Sequence, residues 1–432
     1  MSIRHDGSGW LNGPPHATAL SFGGVDVRYG ELSAAVAATS LPHGDRPVAC
    51  PPDVDAVTLV TRVLAALAQG RPALIGVGEE DVDAAASDLP AGTELALLTS
   101  GSSGGRPRLV ARTNRSWLAS AGPLAGVAGI TSADRVAVTG PLHVSMHLYA
   151  TLHALWAGAT ATDELDGATI AHATPTRLAR MLDGDRCPPS AVVAGAVLSP
   201  GLRARAHERG IRLVEYYGAA ELSFVLAGSD GGLRAFPGVE VEARRRHATD
   251  AARELWARSP YLALGVVGGA GLRRDDRGFA SVGDLVEPGP DGGWHVLGRG
   301  DSAITTAGAT VLAEHVEERL LGLPGVLAAA AVGEPHELLG QRLVAVVELD
   351  EGIALDQVAA AARTSLSGAE LPRRWFSAPV PRTDSGKVAR GALRDAIAAG
   401  ELGPGRVDAG RSEPGGFGAG EVTAATAAGG AS

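Results

Sequence analysis

Residues 97–108 read LLTSGSSGGRPR, an apolar, strand-like run that opens into hydroxyls and glycines and ends with two cations, Arg106 and Arg108. Glycines let backbone N–H groups approach an anion closely, hydroxyls donate further hydrogen bonds, and arginines neutralise charge. The stretch is therefore suited to bind a polyphosphate. It lacks the Gly-Lys-Ser/Thr that closes a P-loop, and taken alone it is also compatible with a plain linker.

The composition limits the partners that this chain can have. It has 432 residues, 45% of them hydrophobic, which is enough to bury a full core and suggests more than one domain. The formal net charge is -10, and lysines and arginines do not form large clusters. A nucleic acid or an anionic membrane would need a basic face, so we expect a small molecule or a protein as partner.

The cysteine content and the start of the sequence indicate the cellular compartment. Cys50 and Cys187 provide no disulfide framework, and residues 1–13 lack the apolar core of a signal peptide. No apolar run approaches the roughly 20 residues that a membrane-spanning helix requires. The sequence predicts a cytoplasmic protein with no membrane span.

Apolar runs and helical patterns alternate along the chain. Residues 192–197 and 211–214 have the pattern of buried strands, whereas residues 57–68 have that of a helix. Such alternation is typical of α/β proteins, here with a large N-terminal domain of β-sheets packed with helices. From Gly278 onward, glycine-rich turns separate short strands.

The pattern changes again near residues 298–301. Residues 311–321 and 355–366 are predicted to be helices, and residues 326–332 and 343–349 strands, enough for a small, mobile α+β domain. We therefore predict a domain over residues 1–298, a second over 299–399 and a disordered Gly/Ala-rich tail over 400–432.

Several further motifs lie in a fixed order around the 97–108 loop, namely Arg28–Leu32, Ala65–Gly70, Tyr217–Glu221, Ser281–Asp284, Gly298–Asp301 and Pro381–Lys387. Together they resemble the adenylate-forming superfamily of acyl-CoA synthetases, nonribosomal-peptide adenylation domains and luciferases. The loop matches the signature Thr-Ser-Gly-Ser/Thr-Thr-Gly-x-Pro-Lys with one extra glycine and with Arg for Lys. Pro381–Lys387 matches Pro-Arg-Thr-x-Ser-Gly-Lys without change. The resemblance extends over nearly the whole chain.

The sequence also departs from the family pattern. Ala220 and Val282 replace threonines, which removes two hydroxyls near the nucleotide, and Ser223 is a candidate to substitute for one of them. Thr305 replaces a lysine, and His315 replaces a glutamate. The interval between the Ala-rich helix and Thr99 is also short for the family. These changes leave the rate of the reaction open.

The resemblance implies ATP and Mg²⁺ as cofactors and a two-step reaction, in which a carboxylic acid becomes an acyl-AMP and then an acyl thioester. A carboxylate is a weak nucleophile for an anionic phosphate, so catalysis needs mainly positioning and charge neutralisation. The resemblance assigns the catalytic cation to Lys387 and the magnesium ligand to Glu221, because Mg²⁺ binds one or two carboxylates plus substrate phosphates. It assigns nucleotide binding to Thr99, Ser100, Gly101, Ser102, Ser103, Gly104, Arg108, Tyr217, Gly218, Asp284 and Arg299.

Two residues are assigned to the second step. Asp301 would be the hinge about which the small domain rotates, since hinge residues absorb dihedral changes at the ends of elements. Gly308 would line the path of the thiol of CoA or phosphopantetheine, because a residue without a side chain permits close approach.

The acid is predicted to be apolar. The resemblance implies that residues 141–149, PLHVSMHLY, correspond to the stretch where peptide-synthetase adenylation domains carry an Asp for the substrate ammonium. This stretch contains no carboxylate, and an unpaired buried ammonium is costly. The resemblance to acyl-CoA synthetases assigns His143 or His147 to the gate of the pocket, whereas Gly195 and Tyr216 would line it. The two histidines also have the spacing of a helical metal pair, but no acidic third ligand accompanies them.

Three functions remain open from the sequence. The first is ligation of a fatty or other apolar acid to CoA. The second is adenylation of an acyl or aryl acid with transfer to an acyl carrier protein or another nucleophile. The third, suggested by Ala220 and Val282, is a degenerate non-catalytic nucleotide-binding protein, although Lys387, Glu221 and Asp284 argue against it.

Overall fold

A computed structural model describes most of the chain. The described ranges are 7–99, 108–198, 200–229, 232–245, 253–268, 272–289, 292–299, 303–306, 309–336, 340–366, 368–383, 386–403 and 406–407.

Helices and strands alternate through the first half of the chain. The helices of the described residues are α1 (Tyr29–Ala38), α2 (Ala56–Ala68), α3 (Val82–Ala86), α4 (Asn114–Ala128), α5 (Ser145–Ala157), α6 (Pro175–Asp183), α7 (Pro200–Glu208), α8 (Ala313–Leu321), α9 (Leu355–Ser365) and α10 (Arg390–Ala399). A short 3₁₀ helix spans Gly368–Glu370.

Most strands have two to six residues, and β23 and β24 are the longest of those described. They are β1 (Thr18–Phe22), β2 (Val25–Arg28), β3 (Val48–Cys50), β4 (Ala73–Ile75), β5 (Leu95–Thr99), β6 (Arg108–Arg112), β7 (Arg135–Val138), β8 (Thr160–Thr162), β9 (Ile170–Ala173), β10 (Ser190–Val193), β11 (Arg212–Ala219), β12 (Ser223–Gly228), β13 (Arg234–Ala235), β14 (Glu240–Arg244), β15 (Arg253–Arg258), β16 (Gly265–Val267), β17 (Arg273–Arg274), β18 (Ala280–Ser281), β19 (Asp284–Pro288), β20 (Trp294–Arg299), β21 (Ala303–Thr306), β22 (Ala309–Leu312), β23 (Val326–His336), β24 (Gly340–Leu349), β25 (Arg374–Ser377) and β26 (Arg406–Val407).

A nine-stranded sheet positions most of the site. Its order is β13-β12-β11-β10-β9-β7-β8-β1-β2, and the strands from β11 to β1 run parallel to their neighbours. The carboxyl ends of parallel strands lie along the same edge, where ligands of such sheets bind. The segments that follow β7, β9, β10 and β11 therefore meet at one edge.

Two smaller sheets complete the first part of the chain. One has the order β16-β6-β5-β4-β3, and β5 and β6 form the antiparallel pair that carries the ends of the 97–108 loop. The other is antiparallel, with the order β17-β18-β15-β19-β20 and β14 beside β15. Its pair β19–β20 brings Asp284 opposite Arg299.

A fourth sheet, with the order β22-β21-β24-β25-β26 and β23 beside β24, forms a separate layer. Successive side chains of a strand point to opposite faces. Ala345 and Val347 accordingly pack in the core beneath α8 and α9, whereas Val344 and Val346 pack in the core beneath α10.

The mixed α/β class predicted from the sequence is confirmed, and so is the helix predicted over residues 57–68, which is α2. The helix predicted over residues 311–321 begins at Ala313, because Val311 and Leu312 close the hairpin of β21 and β22. The predicted boundary at residues 298/299 stays a prediction.

Two other sequence-based boundaries need correction. The strand predicted over residues 192–197 ends at Val193, since Gly195 has a φ of 92° and breaks the extended run. The predicted disordered tail cannot begin at residue 400, because Arg406 and Val407 pair with β25 as an edge strand. Residues 408–432 lie outside the described part of the chain.

Candidate active site

A cleft of about 2000 Å³ opens along the carboxyl edge of the nine-stranded sheet. Residues of the fourth sheet and its helices line its other side. The cleft gathers most of the described site residues predicted from the sequence, namely Thr99, Arg108, His143, Gly195, Tyr216, Tyr217, Gly218, Glu221, Asp284 and Lys387. Residues that are more than 200 positions apart in sequence thus share one surface.

The two ends of the 97–108 loop flank the cleft. Thr99 and Arg108 face each other across β5 and β6, and the Thr99 hydroxyl donates a hydrogen bond to the Arg108 carbonyl over 3.3 Å. Both residues line the cleft. The predicted phosphate-binding residues Ser100, Gly101, Ser102, Ser103 and Gly104 lie outside the described residues, as do Asp301 and Gly308.

Tyr217 and Asp284 come from different sheets and meet in the cleft. The Tyr217 hydroxyl donates a hydrogen bond to the Asp284 carboxylate, which is 7% exposed. Asp284 begins β19 and faces Arg299 in the β19–β20 register. A polar pair is therefore present where the resemblance expects the nucleotide.

Glu221 lies in a tight turn between β11 and β12. Its side chain is 7% exposed and lines the cleft, and its backbone carbonyl accepts a hydrogen bond of 2.9 Å from Ala263 N. Gly218, which precedes the turn, has no space for a side chain, because a Cβ there would lie 2.0 Å from the carbonyl oxygen of Ser223. A glycine is thus required for β11 and β12 to approach each other.

Lys387 stands on a closed hairpin that reaches across the cleft. Thr383 N donates to the Lys387 carbonyl over 2.8 Å, and Gly386 N donates to the Thr383 carbonyl over 2.7 Å. A Cβ on Gly386 would lie 3.3 Å from the hydroxyl oxygen of Thr174, the residue that caps α6 after β9. The hairpin therefore rests on the carboxyl edge of the nine-stranded sheet. Lys387 is the only lysine of the sequence, beside 37 arginines.

A buried ion-pair network anchors the base of this hairpin. Arg390, at the start of α10, contacts Glu317 over 2.7 Å and Glu314 over 3.0 Å, both on α8. Glu317 also accepts a hydrogen bond of 2.8 Å from the backbone N–H of Ala331 on β23. Burial raises the pKa of Glu317 to about 7, although Arg390 acts in the opposite direction. This network thus connects α8, β23 and α10 at a point three residues after Lys387.

One part of the cleft has an aromatic wall, formed by Trp117, Tyr149, Tyr216 and Phe224. The rings of Trp117 and Tyr149 meet edge to face with centroids 5.3 Å apart, and those of Tyr216 and Phe224 lie 4.7 Å apart. The Tyr149 hydroxyl is hydrogen-bonded to Ser120 over 2.7 Å, which satisfies the polar atom behind the wall. The surface of this wall is largely apolar.

The structure separates the two histidines that the sequence left as alternatives. His143 precedes α5 and lines the cleft, whereas His147 is fully buried and its ring packs on Gly140, where a Cβ would lie 2.1 Å from Nε2. His147 is therefore not a residue of the cleft surface. Within the described ranges, no group of three or more His, Cys, Asp or Glu residues could hold a metal ion.

His147 belongs instead to a set of three buried histidines with His153 and His172. Burial is the main reason that their pKa values fall from 6.5 to about 4, about 4 and about 3, respectively. Below pH 6.5 the unfolded chain binds more protons than the folded one, so the free energy of unfolding decreases as the pH falls towards 4. We expect a loss of about 2 kcal/mol per histidine between pH 7 and pH 5.

Urea denaturation at pH 7 and pH 5 measures this loss. His153 lies between the rings of Tyr149 and Trp156, so His153→Phe should keep the packing and reduce the pH dependence. If the free energy of unfolding were equal at the two pH values, the three imidazoles would have the same pKa values in the folded and the unfolded chain, and the expectation would be wrong.

Sequence reasoning missed Arg112, which is fully buried at the end of β6 and lies under the Glu221 turn. An arginine at the end of a strand is usually a surface residue. The one available signal was its place directly after the apolar residues 109–111. Apart from the loop, the hinge and His147, the predicted site residues with described side chains meet in the cleft.

Comparisons with known proteins show which proteins this chain is similar to. Residues 315–387 match the model of the AMP-binding enzyme C-terminal domain family. The chain is 28% identical to the uncharacterized acyl–CoA ligase YhfT of Bacillus subtilis (strain 168), over 68% of this chain and 67% of that protein. It is 27% identical to a feruloyl-CoA synthase of an Amycolatopsis species, over 88% and 96% of the two lengths.

Other alignments are shorter. A 3-oxocholest-4-en-26-oate–CoA ligase of Rhodococcus rhodochrous is 38% identical over 25% of this chain, and the match spans only 20% of that protein.

Solved structures establish the fold. The ATP-bound RpMatB-BxBclM chimera B3 superposes with a TM-score of 0.78 at 20% identity, over 91% of this chain and 99% of the other. The o-succinylbenzoate CoA synthetase MenE of Bacillus subtilis, in complex with its acyl-adenylate intermediate, superposes with a TM-score of 0.75 at 21% identity, over 88% and 96%. The large sheet-rich N-terminal domain and the small C-terminal domain expected from the sequence are those of this fold. None of the helices in the described residues is long and apolar enough to cross a membrane.

Proposed function

We propose that this chain, which is similar to acyl-CoA ligases and has the fold of adenylate-forming enzymes, is an ATP-dependent ligase that joins an apolar carboxylic acid to coenzyme A through an acyl-AMP intermediate. The observation that carries the proposal is the cleft, which is lined by Lys387 of the second part of the chain and by Asp284, Tyr217 and Glu221 of the first. A nucleotide, an acid and a mobile cation can act together on such a surface.

In the first step the carboxylate of the acid attacks the α-phosphorus of ATP. A phosphorus–oxygen bond forms to the acid, the bond to the β-phosphate breaks, and pyrophosphate leaves. The ammonium of Lys387 neutralises charge at the transferring phosphoryl group, which is the main requirement of this chemistry. Asp284 accepts the ribose hydroxyls, and the Tyr217 hydroxyl orients its carboxylate.

The site fits a magnesium ion that has one carboxylate of the protein as a ligand. Mg²⁺ keeps several waters and is usually bound by one or two carboxylates together with substrate phosphates. Glu221 provides a carboxylate at the cleft, and the described residues contain no larger acidic cluster that would suit another metal. When bound, the ion would neutralise phosphate charge, while Glu221 holds it beside the cleft.

In the second step the sulfur of coenzyme A attacks the acyl carbonyl carbon. The carbon–oxygen bond to AMP breaks, AMP leaves, and the thiol proton passes to solvent. We propose that the domain of residues 299–399 turns about Asp301 between the two steps and that the thiol enters beside Gly308. The cytoplasm, where ATP and coenzyme A are available, is the proposed site of action.

The aromatic wall supports an apolar acid, either fatty or aryl. Trp117 and Tyr149 would contact the body of the acid, whereas Gly195 leaves room beside it. An amino acid is disfavoured because its ammonium would have no carboxylate partner on this wall. The feruloyl-CoA synthase relative makes aryl acids the first class to examine.

Pyrophosphate release from MgATP tests the proposal against a panel of fatty, aryl and amino acids, with and without coenzyme A. We expect release with apolar acids, a further increase with coenzyme A, and no release above background with amino acids. If holo-acyl carrier protein consumed the adenylate and coenzyme A did not, the acceptor would be a carrier protein. If none of the acids caused pyrophosphate release, despite measurable ATP binding, the degenerate nucleotide-binding protein would be favoured.

A further inference from the structure

The turn that carries Glu221 has an unfavourable backbone conformation. Ser223 has a φ of 57°, in the left-handed region that residues other than glycine rarely adopt. Gly218 is in contact with the Ser223 carbonyl, and Leu222 N donates to the Ala219 carbonyl over 3.1 Å. Such conformations are strained and persist only where the surroundings hold them.

Arg112 holds this turn from below. Its guanidinium donates hydrogen bonds to the Ser223 hydroxyl over 2.7 Å, to the Ala220 carbonyl over 3.0 Å and to the Tyr261 carbonyl over 3.3 Å. Two of the three acceptors therefore flank Glu221 on either side. The third fixes the turn to the segment of Ala263, whose N–H binds the Glu221 carbonyl.

The buried guanidinium of Arg112 carries a desolvation penalty. It is fully buried, and its hydrogen-bond acceptors are all neutral. Burial lowers its pKa to about 9, and the neighbouring Tyr149 and Glu221 oppose this change. A leucine or methionine would fill the same space without the desolvation penalty of a cation.

Arg112 does not line the cleft, so it can influence bound molecules only through its neighbours. Its position also bears on the missing threonine hydroxyl at Ala220. The Ser223 hydroxyl, which the sequence suggested as a substitute, is bound to Arg112. The turn is thus fixed through its backbone carbonyl and Ser223 and does not use a side chain at residue 220.

We propose that Arg112 is a positioning residue that fixes the Glu221 turn so that the carboxylate faces the metal of bound MgATP. This inference rests on the proposed function, in which Glu221 is the magnesium ligand. Residues that orient a metal ligand typically change metal affinity by about 10–100-fold when they are replaced.

Calorimetric titration separates this role from a purely structural one. The wild type and Arg112→Met are titrated with ATP in the presence of Mg²⁺ and in the presence of EDTA. Arg112→Met is expected to weaken the binding of MgATP by about 10–100-fold and that of metal-free ATP by less than about 2-fold. Equal weakening of both, or of neither, would overturn the proposal.

Two more variants keep the test decisive. Arg112→Lys retains the charge but cannot donate hydrogen bonds to both sides of the turn. Its affinity for MgATP should therefore fall between those of the wild type and Arg112→Met. Ser223→Ala removes one acceptor, and it decides the question in the same assay if Arg112→Met does not fold. A wild type that binds ATP equally with and without Mg²⁺ would contradict the magnesium role of Glu221, which is a failure of the proposed function and not of Arg112.

Discussion

Replacement of Lys387 by alanine is expected to reduce acid-dependent pyrophosphate release by about 100-fold or more, because a preorganised charge at the transferring phosphoryl group is lost. Lys387→Arg should not restore the rate, since the planar guanidinium is larger and places its charge differently. The hairpin closes through backbone hydrogen bonds of Thr383 and Gly386, which neither substitution removes. Folding should therefore be preserved in both variants.

Initial rates of pyrophosphate release at saturating MgATP and acid measure this effect. Arg363→Ala, on the exposed face of α9, removes a cation of the same small domain and should leave the rate unchanged. An undiminished rate in Lys387→Ala would remove the catalytic assignment and favour a non-catalytic protein.

The composition of the chain offers a second, independent readout of the same residue. Because Lys387 is the only lysine, protein labelled with ¹³C-lysine contains a single labelled side chain. Its NMR signals should shift when MgATP is added if the ammonium approaches the phosphates. Signals that do not move with either MgATP or the acid would place the lysine away from the nucleotide.

The sequence predicted the parts of this protein that depend on local patterns. The helix at residues 57–68 has apolar residues at helical spacing, and Asp55 caps it by accepting a hydrogen bond from Thr58 N over 2.9 Å. Within β24, residues 343–347 form a continuous apolar run. The motif residues Tyr217, Asp284 and Lys387 could be recognised because each stands in a characteristic short stretch.

Features that depend on distant contacts could not be predicted. β16 joins β6 across about 150 residues, and nothing within Gly265–Val267 indicates that partner. His147 has the spacing of a cleft residue, but the packing of α5 on Gly140 turns it into the core. Arg112 was missed because only the folded chain shows that the turn at Glu221 lies above it.

Gly218→Ala is expected to be the most damaging conservative substitution in the cleft. The new Cβ would lie 2.0 Å from the carbonyl oxygen and 3.0 Å from the carbonyl carbon of Ser223, and both are backbone atoms that cannot rotate away. The β11–β12 hairpin must open to accept it, at a cost of about 1–3 kcal/mol. Tyr217 and Glu221 stand on either side of Gly218, so the hairpin would move both groups that are proposed to meet MgATP.

A displacement of about 1 Å at a reacting centre can reduce a rate by about 100-fold, and we expect a loss of this size in acid-dependent pyrophosphate release for Gly218→Ala. Gly126→Ala is the matched control, because no atom lies within 4 Å of its Cβ and the residue is inside α4. It should raise stability by about 0.5–1 kcal/mol through the higher helix propensity of alanine. Thermal denaturation measures the stability of both variants, and initial rates of pyrophosphate release measure their activity. If Gly218→Ala kept wild-type activity, the hairpin would be able to open without moving Glu221, and the tight approach of β11 and β12 would have no role in positioning the carboxylate.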